Sequence, residues 1–133
     1  MPATKTFEEV MKRFREIRFN ETFDMIIAIA NGGVIPAAIL NQRLNTDLQL
    51  LKIRLRDANQ QPMYTEPKLL TSINFDYKDK TILLVDDRVK TGSTFRFALG
   101  LLQGARLIKT FAVNGNADYA LYNESCFKFP WII

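Results

Sequence analysis

The sequence predicts an α/β fold, a single domain over residues 1–133 with a mainly parallel sheet flanked by helices. The continuous apolar run at 25–30, and the run at 81–85 in which only Thr81 is polar, are typical of strands buried on both faces, as the strands of parallel sheets are. Segments with helical spacing separate such runs, and strands that alternate with helices indicate a parallel sheet. A chain of 133 residues has the length of one compact domain with one core.

The segment before the first strand predicts an amphipathic helix. Thr6 and Glu9 have the spacing of a capping box, in which the threonine caps the helix and the glutamate follows three residues later. Apolar residues then recur at helical spacing, namely Phe7, Val10, Met11, Phe14 and Ile17. This apolar stripe is expected to face the core.

A strand, a helix and a second strand are predicted next. Asn31-Gly32-Gly33 breaks the strand at 25–30, and Pro36 fits the first turn of a helix that continues to about Leu44. From Leu51, strict alternation predicts a strand with one apolar and one basic face, the basic residues being Lys52, Arg54 and Arg56.

The second half of the chain begins with a long polar connection. Residues 57–74 show no periodicity, and connections of this length are often functional lids. The strand at 81–85 ends in Asp86 and Asp87, and a helix is predicted from Phe95 to about Gln103, with Gly104 as its stop. A third core strand at 107–113, a turn at 114–116 and an apolar, aromatic tail at 126–133 complete the pattern.

The composition excludes several kinds of catalytic site. The chain has no histidine, which removes Ser-His and Cys-His catalysis and the commonest ligand of zinc and iron. A metal ion is therefore expected to be a hard cation such as magnesium, held by carboxylates and substrate oxygens. The single cysteine, Cys126, cannot form an intrachain disulfide, and we interpret it as a packed apolar residue rather than a nucleophile.

The charge and the apolar runs limit the expected partners. A formal net charge of +4 suits anionic ligands such as phosphates. Nucleic acid is not the expected partner, because the alternating basic face at 52–56 is the only feature that favours RNA binding. No apolar run approaches the ~18 residues of a membrane span, and residues 1–19 hold no apolar stretch of signal-peptide type. We therefore expect a cytoplasmic protein without a membrane partner.

The segment 82–94 carries the strongest functional pattern. A buried strand delivers an acid pair, Asp86 and Asp87, to the edge of the sheet where ligands bind in open α/β folds. The small residues at 91–94 then expose N–H groups and hydroxyls at the start of a helix, which favours an anion. Because the carboxylates can accept hydrogen bonds from sugar hydroxyls, the pattern predicts binding of a sugar phosphate. A capped strand–helix turn with two solvated acids is the structural alternative.

This segment resembles the signature with which type I phosphoribosyltransferases bind phosphoribosyl diphosphate (PRPP): a hydrophobic strand, two acids and a Thr-Gly-x-Thr turn. The turn at 31–33, followed by Pro36 and Ala37, is similar to the pyrophosphate loop of that family. Residues 118–131 resemble the hood of small microbial purine phosphoribosyltransferases of the hypoxanthine, xanthine or guanine type, which closes over the base. The resemblance implies the type I phosphoribosyltransferase fold with a small C-terminal hood, and a lid at 57–74.

The resemblance also implies a role for each site residue. The acid pair would hold the ribose hydroxyls as the catalytic pair, and Asp86 would also contact a magnesium ion. The other implied contacts are to PRPP from Lys90, Thr91, Gly92, Ser93 and Thr94, to pyrophosphate from Asn31, Gly32 and Gly33, and to the base from Phe127 and Trp131. Two alternatives stay open at this point. Trp131 either stacks on the base or covers the core or a dimer contact, and the basic face at 52–56 either neutralises pyrophosphate or is solvated.

The activity implied is transfer of a phosphoribosyl group from PRPP to a nucleobase, with a purine as the expected base, Mg²⁺ as the cofactor and a homo-dimer as the assembly. Three positions depart from the family pattern. Lys90 replaces an acid that is usual in enzymes for 6-oxopurines, Asn31 replaces a basic residue, and Val113 and Asn114 lie where a base-reading lysine is common. The second interpretation is therefore a non-catalytic PRPP- or nucleotide-binding regulatory module on the same fold.

Overall fold

The computed structural model of the protein describes residues 3–54 and 67–133. The helices in this part of the chain are α1 (Phe7–Glu16), α2 (Val34–Leu44) and α3 (Ser93–Leu101). The strands are β1 (Ala3–Thr4), β2 (Met25–Ala30), β3 (Asp47–Arg54), β4 (Lys68–Leu69), β5 (Thr81–Arg88), β6 (Leu107–Asn114), β7 (Tyr119–Tyr122) and β8 (Phe127–Lys128). None of the described helices is both long and apolar enough to cross a membrane.

A six-stranded sheet in the order β4-β3-β2-β5-β6-β7 forms the centre of the fold. Its neighbouring strands pair in parallel, except that β4 is antiparallel to β3. Strands β1 and β8 form a separate parallel pair, in which Ala3 lies opposite Phe127. The prediction of an α/β fold with a mainly parallel sheet is confirmed.

Helices cover both faces of this sheet. Helices α1 and α2 pack on the face that carries Ile26, Ala28, Leu83 and Val85. Helix α3 packs on the opposite face, which carries Ile27, Ile29, Ile82 and Leu84. Alternate residues of β2 and β5 therefore enter two different cores, which explains why the segments 25–30 of β2 and 82–85 of β5 are apolar without interruption.

Helix α1 begins at the predicted capping threonine. Thr6 Oγ1 accepts a hydrogen bond of 3.1 Å from the backbone N–H of Glu9, which confirms the cap. Val10 and Phe14 are buried on the predicted inner face. The expectation that Phe7 faces the core is wrong, since its side chain is 53% exposed and the buried face of the helix begins one turn later at Val10.

Strand β5 ends later than predicted, and helix α3, which follows it after residues 89–92, begins earlier than predicted. The strand continues from residue 85 to Arg88, because its backbone stays in register with β6 as far as the pair of Arg88 and Asn114. The helix begins at residue 93 instead of 95 and ends at residue 101. Gly92, which precedes it, has a φ of 82°, a left-handed conformation that glycine adopts without steric cost.

The polar connection between β3 and β5 contains a short strand. Strand β4 pairs with the edge of β3, with Leu69 opposite Ile53. The sequence did not predict β4, whose two residues were too few to show an alternating pattern. Residues 55–66, which include Arg56 and most of the predicted lid, lie outside the described residues.

The C-terminal residues form strands that the sequence pattern did not predict. Strand β7 extends the main sheet, and β8 pairs with β1. Phe127 and Phe129 are each 1% exposed and belong to the core beside α1. Cys126 is exposed, so its interpretation as a packed apolar residue is wrong, because the short segment 123–126 before β8 lies at the surface.

The start of α2 lies directly against the sheet, and Gly33 makes this approach possible. A Cβ atom at this position would collide with the carbonyl oxygen of Val85 and would lie 2.8 Å from that of Ile29. Both oxygens belong to the backbone of central strands. They cannot move aside without disturbing the hydrogen bonds of the sheet.

We expect Gly33→Ala to lower the free energy of unfolding by about 1–3 kcal/mol or more, the usual cost of adding an atom to a well-packed core. Gly100→Ala is the matched control, since Gly100 is exposed in α3 and an added Cβ would meet no atom within 4 Å. The control should be about 0.5–1 kcal/mol more stable than the wild type, because alanine is the better helix former. Urea denaturation of both variants measures these changes. Wild-type stability of Gly33→Ala would contradict the close packing.

Candidate active site

A cleft of about 340 Å³ opens where β2 and β5 end side by side. Because both strands run in the same direction, the turns that follow them meet at one edge of the sheet. The polar residues that line the cleft are Asn31, Gly32, Arg54, Asp86, Asp87, Arg88, Lys90, Thr91, Gly92, Ser93 and Thr94. The structure thus brings most of the predicted site residues together, while Gly33 is buried beneath them.

The acid pair lies at the end of β5 and is partly buried. The backbone N–H of Asp87 donates a hydrogen bond of 2.8 Å to Asp86 Oδ1. Burial, and then the charge of the neighbouring Asp87 carboxylate, raise the pKa of Asp86 well above its ordinary value. A cation or the hydroxyl groups of a ligand would relieve this unfavourable concentration of negative charge.

The turn that follows β2 contacts the acid pair. A Cβ atom on Gly32 would lie 2.6 Å from Asp87 Oδ1, so the absence of a side chain leaves room for the carboxylate. Asn31 is exposed beside it, and the peptide bond between Ala30 and Asn31 is cis. The position of the Asp87 carboxylate therefore depends on the backbone of residues 31–33.

Residues 91–94 form the turn into α3. The backbone N–H of Ser93 donates to Thr91 Oγ1 at 3.2 Å, and the two hydroxyl oxygens are hydrogen-bonded at 3.0 Å. Arg96 Nη1 braces the turn from outside by donating to the Thr91 carbonyl oxygen at 3.1 Å. Gly92 has no side chain with which to cap α3, so the N–H groups that follow that of Ser93 at the start of the helix are available to an anion.

Arg54, Arg88 and Lys90 supply positive charge around the cleft. Arg54 belongs to the basic face of β3 that the sequence predicted, whereas Lys52 on the same face is exposed and does not line the cleft. Over the described ranges 3–54 and 67–133, no three His, Cys, Asp or Glu side chains are grouped to hold a metal ion. A metal at this site would therefore be held by the acid pair together with ligand oxygens.

The two aromatic residues predicted to contact a base do not line the cleft. Phe127 is buried between Tyr122 and Phe129, with ring centroids 5.2 and 5.3 Å away, so its ring is not placed to stack on a ligand. Trp131 stacks on Phe129 at 5.3 Å and contacts Phe14 at 6.4 Å. Of the alternatives left open for Trp131, these contacts favour covering the core.

Sequence reasoning missed the structural role of Asn114. This residue is 3% exposed at the end of β6, and its carbonyl oxygen accepts a hydrogen bond of 3.0 Å from the N–H of Val89, just after the acid pair. Its side-chain amide donates to the Glu124 carbonyl oxygen at 3.1 Å and accepts from the Glu124 N–H at 3.0 Å. Asn114 thus links the site to the segment before β8. The sequence held one indication of this role, namely a polar residue directly after the apolar residues 111–113.

Arg88 was also missed as a residue of the site. It lines the cleft directly after the acid pair, and its place within the signature segment was the one indication in the sequence. Its guanidinium group contacts the C-terminal segment as well, through the Phe127 carbonyl oxygen at 2.9 Å.

Comparison with known protein families gives an independent result. A family model described as the phosphoribosyl transferase domain matches residues 3–128. Among curated proteins, the xanthine-guanine phosphoribosyltransferase of Idiomarina loihiensis is 25% identical over 137 residues, which cover 95% of this chain and 84% of that protein.

Solved structures share the fold. The purine phosphoribosyltransferase from Pyrococcus horikoshii Ot3 superposes with a TM-score of 0.79 and 26% identity, covering 97% of this chain and 92% of that one. A hypothetical protein from Neisseria gonorrhoeae with bound ppGpp gives a TM-score of 0.74 and 20% identity, covering 98% and 90% of the two chains. These similarities confirm the fold that the resemblance implied.

We expect Asp86→Asn to stabilise the folded protein at neutral pH. Because the pKa of Asp86 is raised on folding, the folded state holds this proton more tightly than the unfolded chain does. The wild type should therefore lose stability as the pH rises from the ordinary aspartate pKa through the raised one. Asparagine cannot ionise and should not show this loss, while its side-chain oxygen can still accept from the Asp87 N–H.

Thermal unfolding of both proteins between about pH 4 and about pH 8 measures this effect. The difference in Tm in favour of Asp86→Asn should widen as the pH rises and then become constant. A variant that is less stable than the wild type at the upper end of the range would show that burial does not penalise the charge of Asp86.

Proposed function

The chain belongs to the phosphoribosyl transferase domain family, and from this premise we propose that it transfers the phosphoribosyl group of PRPP to a purine base and releases pyrophosphate. Transfer from PRPP to a nucleobase makes the protein an enzyme of the transferase class. The choice of a purine is supported by the relatives, which are named as xanthine-guanine and purine phosphoribosyltransferases.

The observation that carries this proposal is the meeting of three kinds of binding group in one cleft. PRPP consists of a ribose, a 5′-phosphate and a pyrophosphate group. The acid pair can accept hydrogen bonds from the ribose hydroxyls, and residues 91–94 offer N–H groups and hydroxyls to the 5′-phosphate. Asn31 and Gly32 are on the other side of the acid pair, where the turn after β2 can meet the pyrophosphate.

The cleft accounts for the reaction by position and charge. The bond from the anomeric carbon to a pyrophosphate oxygen breaks, a bond from that carbon to a ring nitrogen of the base forms, and that nitrogen releases its proton to water. Holding the base and PRPP in line lowers the entropic part of the barrier. Negative charge grows on the departing pyrophosphate, and Arg54, Lys90 and the N–H groups of the turn at 31–33 are the groups that would stabilise it.

Magnesium is the proposed cofactor, and the acid pair fits it. Mg²⁺ binds in proteins through one or two carboxylates and completes its shell with water and substrate phosphates. Asp86 and Asp87 offer this number of carboxylates beside the place proposed for PRPP. When bound, the ion would neutralise charge on the pyrophosphate group. The repulsion within the acid pair would also be relieved.

We further propose that the protein works in the cytoplasm and as a homo-dimer. The substrates, PRPP and a purine base, are small soluble molecules, and symmetric dimers are the commonest oligomers. Size-exclusion chromatography with light scattering would establish the assembly.

We expect PRPP and Mg²⁺ to yield pyrophosphate only when an accepted base is added, with guanine, hypoxanthine, xanthine, adenine, uracil and orotate offered separately. Asp86→Asn/Asp87→Asn should lose about 100-fold or more of kcat/KM, because the ribose loses the groups that hold it in line. Asp76→Asn/Asp79→Asn is the matched control, since these exposed acids precede β5 and lie away from the cleft lining.

The outcomes separate the candidate functions. Undiminished release by the Asp86→Asn/Asp87→Asn variant would contradict the role of the acid pair. Binding of PRPP by the wild type without release of pyrophosphate for any base would favour the regulatory binding module instead.

We expect Gly32→Ala to reduce turnover while leaving the fold nearly as stable as the wild type. The atoms nearest to the added Cβ would be those at the end of the Asp87 side chain, which can rotate away but then leaves its position at the ribose. A displacement of this size should lower kcat/KM by about 10-fold or more. Steady-state kinetics and urea denaturation together measure both effects. Full activity of the variant would show that the turn at 31–33 does not position Asp87.

A further inference from the structure

Arg88 is held rigidly between the acid pair and the hood, residues 118–131. It directly follows Asp87 at the end of β5 and lines the cleft. Its Nη2 donates to the Phe127 carbonyl oxygen at 2.9 Å, and its guanidinium carbon lies 4.7 Å from the centroid of the Phe129 ring. A hydrogen bond at one corner and contact with an aromatic ring fix the orientation of the guanidinium plane.

The guanidinium group retains hydrogen-bond donors that the described residues do not use. Arginine has five N–H donors, and the Phe127 carbonyl oxygen is the one acceptor for this side chain within residues 3–54 and 67–133. Its Nε is buried without a partner and is closed to solvent, so it is not one of the groups that a ligand could reach. The remaining Nη hydrogens of this cleft-lining side chain are the donors that an acceptor on a ligand could meet.

The position of Arg88 indicates which part of the ligand supplies that acceptor. With the 5′-phosphate at residues 91–94 and the pyrophosphate at 31–33, the ribose lies over the acid pair. The base that joins the anomeric carbon must extend from the ribose towards a wall of the cleft that neither phosphate occupies. Arg88 lies at such a wall, where β5 contacts the hood.

The chemistry of the guanidinium group selects among bases, because it donates hydrogen bonds and accepts none. A 6-oxopurine presents two neighbouring acceptors, O6 and N7, and arginine binds this pair through two parallel hydrogen bonds. Adenine presents N7 beside an amino group, so an N–H donor of the guanidinium group would face an N–H donor of the base. A site built to pair with a substrate group strongly rejects the analogue that lacks it.

We propose that Arg88 is a specificity-determining residue, which selects 6-oxopurines over adenine by donating to the O6 and N7 edge of the base. This inference rests on the proposed function and extends it to the choice of base. The contact with Phe127 and Phe129 positions the guanidinium group, so the hood acts on the base through Arg88.

Binding of the product nucleotides tests the proposal without requiring turnover. Inosine monophosphate and adenosine monophosphate share the phosphate and the ribose and differ at the edge in question. By calorimetry, the wild type should bind inosine monophosphate about 10- to 100-fold more tightly. Arg88→Met should abolish most of this ratio. The loss of its positive charge weakens both nucleotides alike and therefore cancels in the ratio. Arg88→Lys keeps the charge without the planar fork and should recover only a small part of the ratio.

The chain offers a matched control in Arg13. Its Nη1 also donates to a backbone carbonyl oxygen, that of Leu121 at 2.8 Å, and its guanidinium carbon lies 4.4 Å from the Tyr122 ring centroid. Because Arg13 lies outside the cleft lining, Arg13→Met should keep the wild-type ratio. Loss of the ratio in both variants would show that support of the hood, and not contact with the base, is responsible.

Other results would overturn the proposal. A wild-type ratio near one, or equal losses for both nucleotides in Arg88→Met, would mean that Arg88 does not read the base. A loss confined to PRPP would make it a phosphate ligand. Failure of the proposed function can be distinguished from failure of this inference. In that case the wild type would release no pyrophosphate with any base, but it would still prefer inosine monophosphate, and Arg88→Met would still lose that preference.

Discussion

The site depends on the contact between the ends of two parallel strands, β2 and β5. Their register places Ala28 opposite Val85, so the turn after the first strand and the acid pair after the second arise at the same level of the sheet. Gly33 lets the start of α2 lie on the backbone of both strands. Gly32 lets the turn between β2 and α2 lie against the Asp87 carboxylate. A larger residue at position 33 would push the turn away from the sheet, and a larger residue at position 32 would displace the Asp87 side chain.

Two unfavourable features of the fold are concentrated in this cleft and share one explanation. The acid pair places two carboxylates side by side in a partly buried position, and Gly92 gives α3 no side chain at its N-cap position. Each would be corrected by a different part of one ligand, namely a hydroxyl or cation at the acid pair and an anion at the start of the helix. Local conflicts of this kind are expected where a protein gives up stability for binding.

The sequence predicted the features that are set by neighbouring residues. Strands β2 and β5 and the Thr6 cap could be anticipated, because periodicity and capping act over a few residues. The meeting of residues 31–32 with 86–94 is a long-range contact, and it was predicted from the rule that the carboxyl ends of parallel strands share one edge of the sheet. The continuation of β5 to Arg88 could not be anticipated, since it results from pairing with β6. Strands β4 and β8 have two residues each, too few to show a periodic pattern of apolar residues. Strand β4 pairs only with the edge of β3, and the partner of β8 is β1, at the other end of the chain.

The same limit applies to the aromatic residues of the hood. The resemblance implied that Phe127 and Trp131 contact the base, but the packing shows that Phe127 points into the core and that Trp131 covers Phe14 and Phe129. The contribution of the hood to the cleft passes through a backbone carbonyl oxygen, that of Phe127. Every residue has a main-chain carbonyl group, so the sequence could not predict which of them makes this contact.

The pairing of β1 with β8 has a consequence for the order of folding. Ala3 and Phe127 are opposite one another, so this contact closes a loop of nearly the whole chain, whereas the parallel pairs of the main sheet join segments much closer in sequence. Loop-closure entropy opposes such a distant contact until the intervening chain is compact. The hood should therefore be completed last, and because only two residues of each strand pair there, it can also be the first unit to open while the sheet remains intact.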